Sequence, residues 1–311
     1  MYKLGIDIGG TKVNMGLIDD NGNIILKYME KLPENKNYHA ILSHVKNKLD
    51  SILAKNNISY RDIASCGAGV PGTVSRDCKT ALKVPNLGWE NVGFASEFEA
   101  LTGIPTKLIQ DSRAAAFGEY IAGNGQGKKI VVCITLGTGI GTGIVMNGIV
   151  FDGALGCAGE IGHVPVVSNG RECGCGRKGC LENYVAGKGL DITAKELYGE
   201  GHSANDIFEY AKRGDEKAID VLNEAIIMLG NALISMLNLI SPDCLLFSGG
   251  MSTQKELFVI PLIDYIKKHK YNSPSDEDLY IDFAKLNEDS PMVGAALFTD
   301  MPRRNLWIKG F

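Results

Sequence analysis

A glycine-rich segment, residues 157–182, contains a cluster of side chains that could bind a metal ion. Cys173, Cys175 and Cys180 follow the pattern C-x-C-x4-C, and His163 lies a short distance upstream. Thiolate and imidazole ligands at such spacing are typical of closed, tetrahedral zinc sites with a structural role. Buried, inert thiols beside a core histidine are the alternative, but that interpretation suits a lone cysteine better than a cluster. The pattern therefore predicts that these four residues bind Zn²⁺.

Two carboxylates stand beside this cluster in the sequence. Glu160 precedes His163, and Glu182 follows Cys180. A metal ion bound between them would hold both carboxylates in fixed positions, which is one way to build a polar binding pocket. Cys157, by contrast, lies in the apolar sequence ALGCAG and is predicted to be a small buried residue.

A second candidate site follows the first predicted strand. Asp7 lies near the end of that strand and precedes a glycine turn made of Gly9, Gly10, Thr11 and Lys12. Glycines allow a backbone to approach a phosphate, and a threonine can offer both a hydroxyl and an N–H group. Taken alone, the motif fits an ordinary tight hairpin with an exposed acid equally well.

The same plan occurs a second time in residues 130–150. A buried strand meets a turn that contains Gly137, Thr138 and Gly139, and two further strands follow around Asn147 and Gly148. Two copies of this arrangement indicate an internal duplication with two facing phosphate-binding turns. Neither a Walker A motif nor a dinucleotide-binding G-x-G-x-x-G followed by a helix is present, because each glycine turn leads into another strand.

Asp111 stands between a predicted strand at 104–109 and an alanine-rich helix. A helix N-cap is a sufficient role for such a residue, since its carboxylate accepts the unpaired N–H groups of the first turn. An acid that ends a strand between two duplicated halves would also face any ligand bound there. We therefore expect Asp111 to cap the helix and to act as a base.

Composition narrows the class of protein. The 311 residues are 45% hydrophobic, enough for a sizeable core in one large or two smaller domains, and the formal net charge is −4. Nothing predicts a nucleic-acid surface. No signal peptide and no apolar run of membrane-spanning length are recognised, and the cysteines suggest a reducing compartment. We expect a cytoplasmic protein that binds neither nucleic acid nor membrane.

Taken in order, these motifs resemble the ROK family (repressor, open reading frame, kinase), and within it the bacterial glucokinase-like sugar kinases. The motifs are Asp7-x-Gly-Gly-Thr, Leu-Gly-Thr-Gly-Ile-Gly, Gly159-Glu-Ile-Gly-His163 and Cys-Gly-Cys-Gly-x-x-Gly-Cys-Leu-Glu182. The resemblance implies an α/β, actin/hexokinase-like (ribonuclease H-like) duplicated fold, with two domains around a cleft. We expect one domain from 1–109 plus a helix at about 290–311, and a second, with the zinc loop, from 110–289.

The resemblance also implies an activity, which is ATP-dependent phosphorylation of a hexose with ATP, Mg²⁺ and structural Zn²⁺ as cofactors. Asp111 corresponds to the catalytic base. Sugar hydroxyls would be contacted by Asn86, Gln110, Asp111, Glu160, His163 and Glu182. Phosphate turns correspond to Asp7, Gly9, Gly10, Thr11, Lys12, Gly137, Thr138 and Gly139, and a turn near the adenosine to Gly249 and Gly250. A homodimer is implied as well.

One departure from the family pattern bears on the substrate. The family commonly has Asn-Asp-x-Asn-Ala around the base, whereas this chain has Gln110-Asp111-Ser112-Arg113-Ala114. The base is intact, so the identity of the sugar is what this change leaves open. Glucose is the expected substrate, and N-acetylmannosamine, allose, mannose and fructose are the alternatives. A non-catalytic sugar sensor and a DNA-binding repressor are the other classes in view, and the repressor is disfavoured because the first strand begins by Lys3.

Overall fold

The computed structural model describes residues 1–271 and 278–301. Within these residues the strands are β1 (Tyr2–Ile8), β2 (Lys12–Ile18), β3 (Ile24–Lys31), β4 (Ile63–Val70), β5 (Thr73–Val74), β6 (Ala81–Val84), β7 (Trp89–Val92), β8 (Thr106–Gln110), β9 (Ile130–Leu136), β10 (Ile140–Met146), β11 (Ile149–Val150), β12 (Cys244–Ser248) and β13 (Tyr280–Phe283). The helices are α1 (Tyr38–Lys55), α2 (Phe94–Thr102), α3 (Asp111–Ala122), α4 (Glu182–Val185), α5 (Gly187–Tyr198), α6 (Ala204–Lys212), α7 (Glu216–Ile240), α8 (Ile260–His269) and α9 (Ser290–Phe298).

The chain divides into two compact units. Among the described residues, unit 1 contains 1–127, 143–158 and 285–301, and unit 2 contains 128–142, 159–271 and 278–284. The boundaries expected from the sequence differ from this division, because the division places α3 and residues 143–158 in unit 1. The first crossing between the units falls at residues 127–128, in the loop between α3 and β9, and the next falls within β10.

The sheet of unit 1 has the strand order β3-β2-β1-β4-β8. β1 pairs antiparallel with β2 and parallel with β4, and β8 continues the parallel part. A turn that contains Asp20-Asn21-Gly22 joins β2 to β3, and Gly22 has a φ of +85°, which glycine adopts readily. Helix α1 packs into the same core as β1, through side chains that include Val45 and Leu49.

A second sheet repeats this topology, with the order β11-β10-β9-β12-β13. β12 pairs parallel with β9 on one side and with β13 on the other, as β4 does with β1 and β8. Asn147 and Gly148, both with positive φ, form the hairpin between β10 and β11. The matching strand orders confirm the duplication that the two glycine turns predicted.

Helix α9 approaches its neighbours in unit 1 unusually closely. It packs against α3 on one side and against β1 and β4 on the other. Glycine makes this possible at both contacts, because a Cβ atom on Gly294 would overlap the carbonyl group of Ala114, and one on Gly67 would overlap that of Ala295. The helix that begins with Asp111 is thereby packed directly against a second buried helix.

Asn86 lies in a 3₁₀ turn, Pro85–Leu87, which connects two strands of a small antiparallel sheet of order β5-β6-β7. One part of the fold differs from the sequence-based expectation. Among the described residues, α7 is long and apolar enough to cross a membrane, contrary to the expectation that no segment was. A single helix of this kind is a weak indication, and α7 buries one face and packs between α6 and α8.

Candidate functional site

Two acidic residues lie at one edge of the unit 1 sheet. Asp7 of β1 pairs with Gly69 of β4, and Gln110 at the end of β8 pairs with Val70. The carboxyl ends of these parallel strands therefore meet at a single edge, where open α/β sheets usually bind ligands. A Cβ atom on Gly69 would lie 3.6 Å from Asp7 Oδ1 and 3.7 Å from Asp111 Cα, so both acids adjoin this glycine.

The electrostatic environment of Asp7 is unusual for a carboxylate. Burial raises the pKa of Asp7, the neighbouring charge of Asp111 raises it further, and Lys12 partly opposes both effects. The result is a pKa of about 7, compared with an ordinary value of 3.8. Strongly perturbed carboxylates are concentrated at functional sites, so this pair supports the interpretation of the sheet edge as a binding site.

Asp111 is the first residue of α3, and Gln110 is the N-cap residue. The expectation that Asp111 caps the helix was therefore wrong by one position. Its Oδ1 atom accepts a hydrogen bond from the Ser112 N–H group at 2.7 Å. A carboxylate in this place still benefits from the partial positive charge at the helix N-terminus.

Arg113, part of the departure from the family pattern around Asp111, binds backbone carbonyl groups. Its side chain is buried, with a relative exposure of 3%, and Nη2 donates hydrogen bonds to the carbonyl oxygens of Gly156 at 2.8 Å and Ala158 at 3.2 Å. The guanidinium group is thus bound to a backbone segment of unit 1. Arg113 can therefore influence a ligand through that segment.

The first glycine turn holds its backbone in a defined conformation. Gly9 N–H donates to the Lys12 carbonyl at 2.9 Å, and Leu32 N–H donates to the Thr11 carbonyl at 2.8 Å. Within residues 1–271 and 278–301, the N–H groups of Gly10 and Thr11 have no protein acceptor. Asn86 is exposed nearby, since a Cβ atom on Gly10 would lie 3.9 Å from its Cβ atom. Two adjacent, unoccupied N–H groups suit an anionic oxygen.

The second glycine turn, in unit 2, has the same property. Gly187 and Lys188, at the start of α5, donate their N–H groups to the carbonyls of Gly137 at 2.9 Å and Thr138 at 3.2 Å. These bonds fix the orientation of the turn through its carbonyl groups. The N–H groups of Thr138 and Gly139 meet no acceptor in the described part of the chain, which again leaves two adjacent donors for an anion.

Glu182 lies directly against this second turn. Its Oε2 atom accepts a hydrogen bond from the Ile140 N–H group at 3.0 Å, and a Cβ atom on Gly139 would overlap the same oxygen. Glycine at position 139 is therefore needed for Glu182 to adopt this position. The sequence offered no signal for this contact, although both residues were singled out separately.

The four predicted metal ligands come together in unit 2. His163 Nδ1 lies 3.6 Å from Cys173 Sγ, Cys175 Sγ lies 3.6 Å from Cys180 Sγ, and all four donor atoms lie within 4.8 Å of one another. Donors bound at about 2.0–2.3 Å to a tetrahedral zinc ion lie about 3.3–3.8 Å apart. The donor set and its spacing could hold a metal such as zinc.

A further anchor of this loop was missed in the sequence. Arg171 donates from Nη1 to the carbonyl of Asn183 at 2.9 Å and to Thr193 Oγ1 at 3.0 Å, and so joins the cysteine loop to α4 and α5. An arginine in a glycine-rich segment gives no pattern from which this role could be inferred. Cys157 was also misjudged, because it is exposed, and all eight cysteines of the chain are free.

The remaining predicted residues of unit 2 lie in two turns. Glu160 precedes a 3₁₀ turn at Ile161–His163, and the His163 N–H group donates to its carbonyl at 3.1 Å. Gly249 and Gly250 follow β12, and Gly249 has a φ of +91° and adjoins the Leu136 backbone at the end of β9. A side chain at position 249 would collide with that backbone, so the glycine is structurally required.

Comparison with known proteins gives consistent matches. A model of the ROK family matches residues 3–301. A glucokinase from Streptomyces coelicolor is 30% identical over 310 residues, which cover 94% of this chain and 96% of that protein. An N-acetylmannosamine kinase from Haemophilus influenzae is 29% identical, covering 95% and 94%. The crystal structure of a ROK family glucokinase from Streptomyces griseus, in complex with glucose and AMPPNP, is 30% identical, has a TM-score of 0.79 and covers 95% and 98% of the two chains.

Proposed function

The chain belongs to the ROK family and has its actin/hexokinase-like α/β fold, and on that premise we propose that it phosphorylates a hexose at the 6-hydroxyl group with ATP. Glucose is the proposed substrate, supported by the glucokinases that are 30% identical over nearly the whole chain. The observation that carries the proposal is Asp111 at the start of α3, adjoining Gly69 and Asp7 at the carboxyl edge of the sheet.

In this mechanism Asp111 accepts the proton of the attacking sugar hydroxyl. Phosphoryl transfer depends on positioning and charge neutralisation, so the protein needs no covalent intermediate. A base that accepts the proton and orients the nucleophile is sufficient. The free N–H pairs at Gly10 and Thr11 and at Thr138 and Gly139 are suited to bind phosphate oxygens.

Asp7 is the residue that we propose to anchor Mg²⁺ through water. The conditions around it fit this role, because burial and the adjacent Asp111 both oppose its ionisation, and a bound cation would offset both. Mg²⁺ bound with the nucleotide supplies positive charge to the phosphates. In the absence of a cation, an ionised Asp7 is costly.

Zinc has a structural role in this proposal, because His163, Cys173, Cys175 and Cys180 fill all four coordination positions. His163 faces Cys173 through Nδ1, which leaves Nε2 for a sugar hydroxyl. We propose that Asn86, Gln110, Glu160 and Glu182 contact the remaining hydroxyl groups. We also propose a homodimer in the cytoplasm, a location that the free cysteines support.

The decisive assay measures ADP release with ATP and Mg²⁺ across hexoses and N-acetylhexosamines at low concentration. We expect glucose to be preferred, and Asp111→Asn to lower kcat by about 100- to 10,000-fold while sugar binding stays measurable. Asp220→Asn, at an exposed position of α7, is the matched control. Undiminished turnover in Asp111→Asn would contradict the base assignment.

An N-acetylmannosamine kinase is the second candidate, since a relative with that activity is 29% identical over most of both chains. Preference for that sugar in the same assay would select it. Absence of turnover with every sugar, together with measurable sugar binding, would instead indicate a sensor.

A further inference from the structure

Two arginines of unit 1 hold one backbone segment, residues 152–158, which we call the tethered segment. Arg113 of α3 donates to the carbonyl oxygens of Gly156 and Ala158 at 2.8 and 3.2 Å. Arg76, from the turn between β5 and β6, donates to the carbonyl oxygen of Ala154. Three carbonyl groups of a short segment are thus bound by guanidinium groups.

The tethered segment is itself compactly folded. Gly153 and Gly156 both have φ values of +72°, which glycine adopts at no steric cost. The Ala158 N–H group donates to the Asp152 carbonyl at 3.0 Å and closes the segment. Because it is closed on itself, bonds to a few of its carbonyl groups restrain the whole of it.

Arg113 is the stronger of the two tethers. A buried cation is costly unless its donors are satisfied, so its bonds to the segment cannot be released without a large penalty. The guanidinium group presents its donors in a rigid fork, which allows one side chain to bind two carbonyl oxygens. Arg76 is exposed, and water can replace its contact more easily.

We propose that Arg113 is a positioning residue for sugar binding, because it immobilises the backbone that leads into Glu160. Glu160 follows Ala158 after a single residue, Gly159, whose φ of +87° and close approach to the Thr142 carbonyl leave it little freedom. Ordering this backbone in advance reduces the entropy that sugar binding must otherwise overcome. The inference rests on the proposed sugar kinase function and adds a residue that does not touch the sugar.

The test compares Arg113→Met, which keeps an unbranched apolar stem without the donors, with Arg113→Lys, which keeps the charge and part of the donor capacity. Arg76→Met removes the other hydrogen-bonding contact to the same segment. Arg61→Met changes an exposed arginine of unit 1 and is the control. For each protein, the sugar dissociation constant, kcat, the KM for ATP and amide hydrogen exchange across residues 152–160 are measured.

We expect Arg113→Met to raise the sugar dissociation constant about tenfold and to accelerate exchange in the tethered segment, with kcat and the KM for ATP changed less than about twofold. Arg113→Lys should recover part of the affinity, Arg76→Met should show a smaller effect in the same direction, and Arg61→Met none. A purely structural role would lower thermal stability without this selective loss of sugar affinity.

Unchanged sugar affinity in a folded Arg113→Met protein would overturn the inference. If that variant does not fold, Arg113→Lys and Arg76→Met provide the test. Wild-type sugar affinity in both of them, together with faster amide exchange in the tethered segment, would overturn the inference. If the wild type phosphorylates sugar and the variants bind sugar with wild-type affinity, this inference is refuted but the proposed function is not. A wild-type protein that neither binds nor phosphorylates any sugar refutes the proposed function and this role with it.

Discussion

Replacement of Asp7 by asparagine should make the protein more stable at neutral and alkaline pH. The pKa of Asp7 is about 7 in the folded protein, and its ordinary value is 3.8. The folded state therefore binds the proton more tightly than the unfolded state, and the contribution of Asp7 to stability is fully present below about pH 4 and is lost as the pH rises through 7. A shift of about three pKa units corresponds to about 4 kcal/mol at most. Asp7 is half-buried, and solvent that reaches it screens part of this interaction, so we expect about 2–4 kcal/mol.

The measurement is the free energy of unfolding by urea at several values between pH 4 and pH 8, without added Mg²⁺. The difference between Asp7→Asn and the wild type should grow across this range and level off above pH 7. Asp111→Asn should reduce the pH dependence of the wild type without abolishing it, because burial is the larger cause and the charge of Asp111 the smaller one. A difference that stays constant from pH 4 to pH 8 would refute a raised pKa at Asp7.

Two further predictions concern unit 2. Gly139→Ala should weaken sugar binding about tenfold with little loss of stability, because the new methyl group displaces the flexible Glu182 carboxylate. Gly137→Ala is the control and should leave binding unchanged, because a methyl group there meets no atom within 4 Å. Equal sugar affinities of Gly139→Ala and the wild type, measured by calorimetry without nucleotide, would contradict the prediction. Cys175→Ser, or removal of zinc with a chelator, should lower both the melting temperature and sugar affinity, with bound zinc falling from about one per chain towards none. Cys157→Ser is the control, and metal analysis with no zinc in the wild type would contradict the site.

Local signals were sufficient to predict much of the architecture. The Asn147-Gly148 hairpin has its conformation imposed by residue type, since positive φ favours asparagine and glycine. The metal ligands were equally readable, because chelating spacing is a short-range property of the chain. What these signals have in common is that cause and effect lie within about twenty residues.

The contacts of individual side chains could not be predicted from such local signals. The sequence marked Arg113 only as a departure from the family pattern, and its side chain binds carbonyl groups 43 and 45 residues further along the chain. Trp89 is buried, and its indole N–H group donates to the Lys36 carbonyl at 3.2 Å, a contact that joins distant parts of the chain. The perturbed pKa of Asp7 depends on Asp111 across the sheet. Each of these requires the tertiary fold before it can be stated.

The position of α9 means that unit 1 is completed late during synthesis. β1, β4 and α3 leave the ribosome early, but the helix that covers their apolar surfaces lies beyond residue 289. Unit 2 ends at residue 284, so all of its segments have been translated before α9 appears. Domains generally fold as units once their residues are available. Unit 1, which carries Asp111, therefore has segments translated before and after those of unit 2, and a nascent chain exposes the surfaces that α9 covers throughout the translation of unit 2.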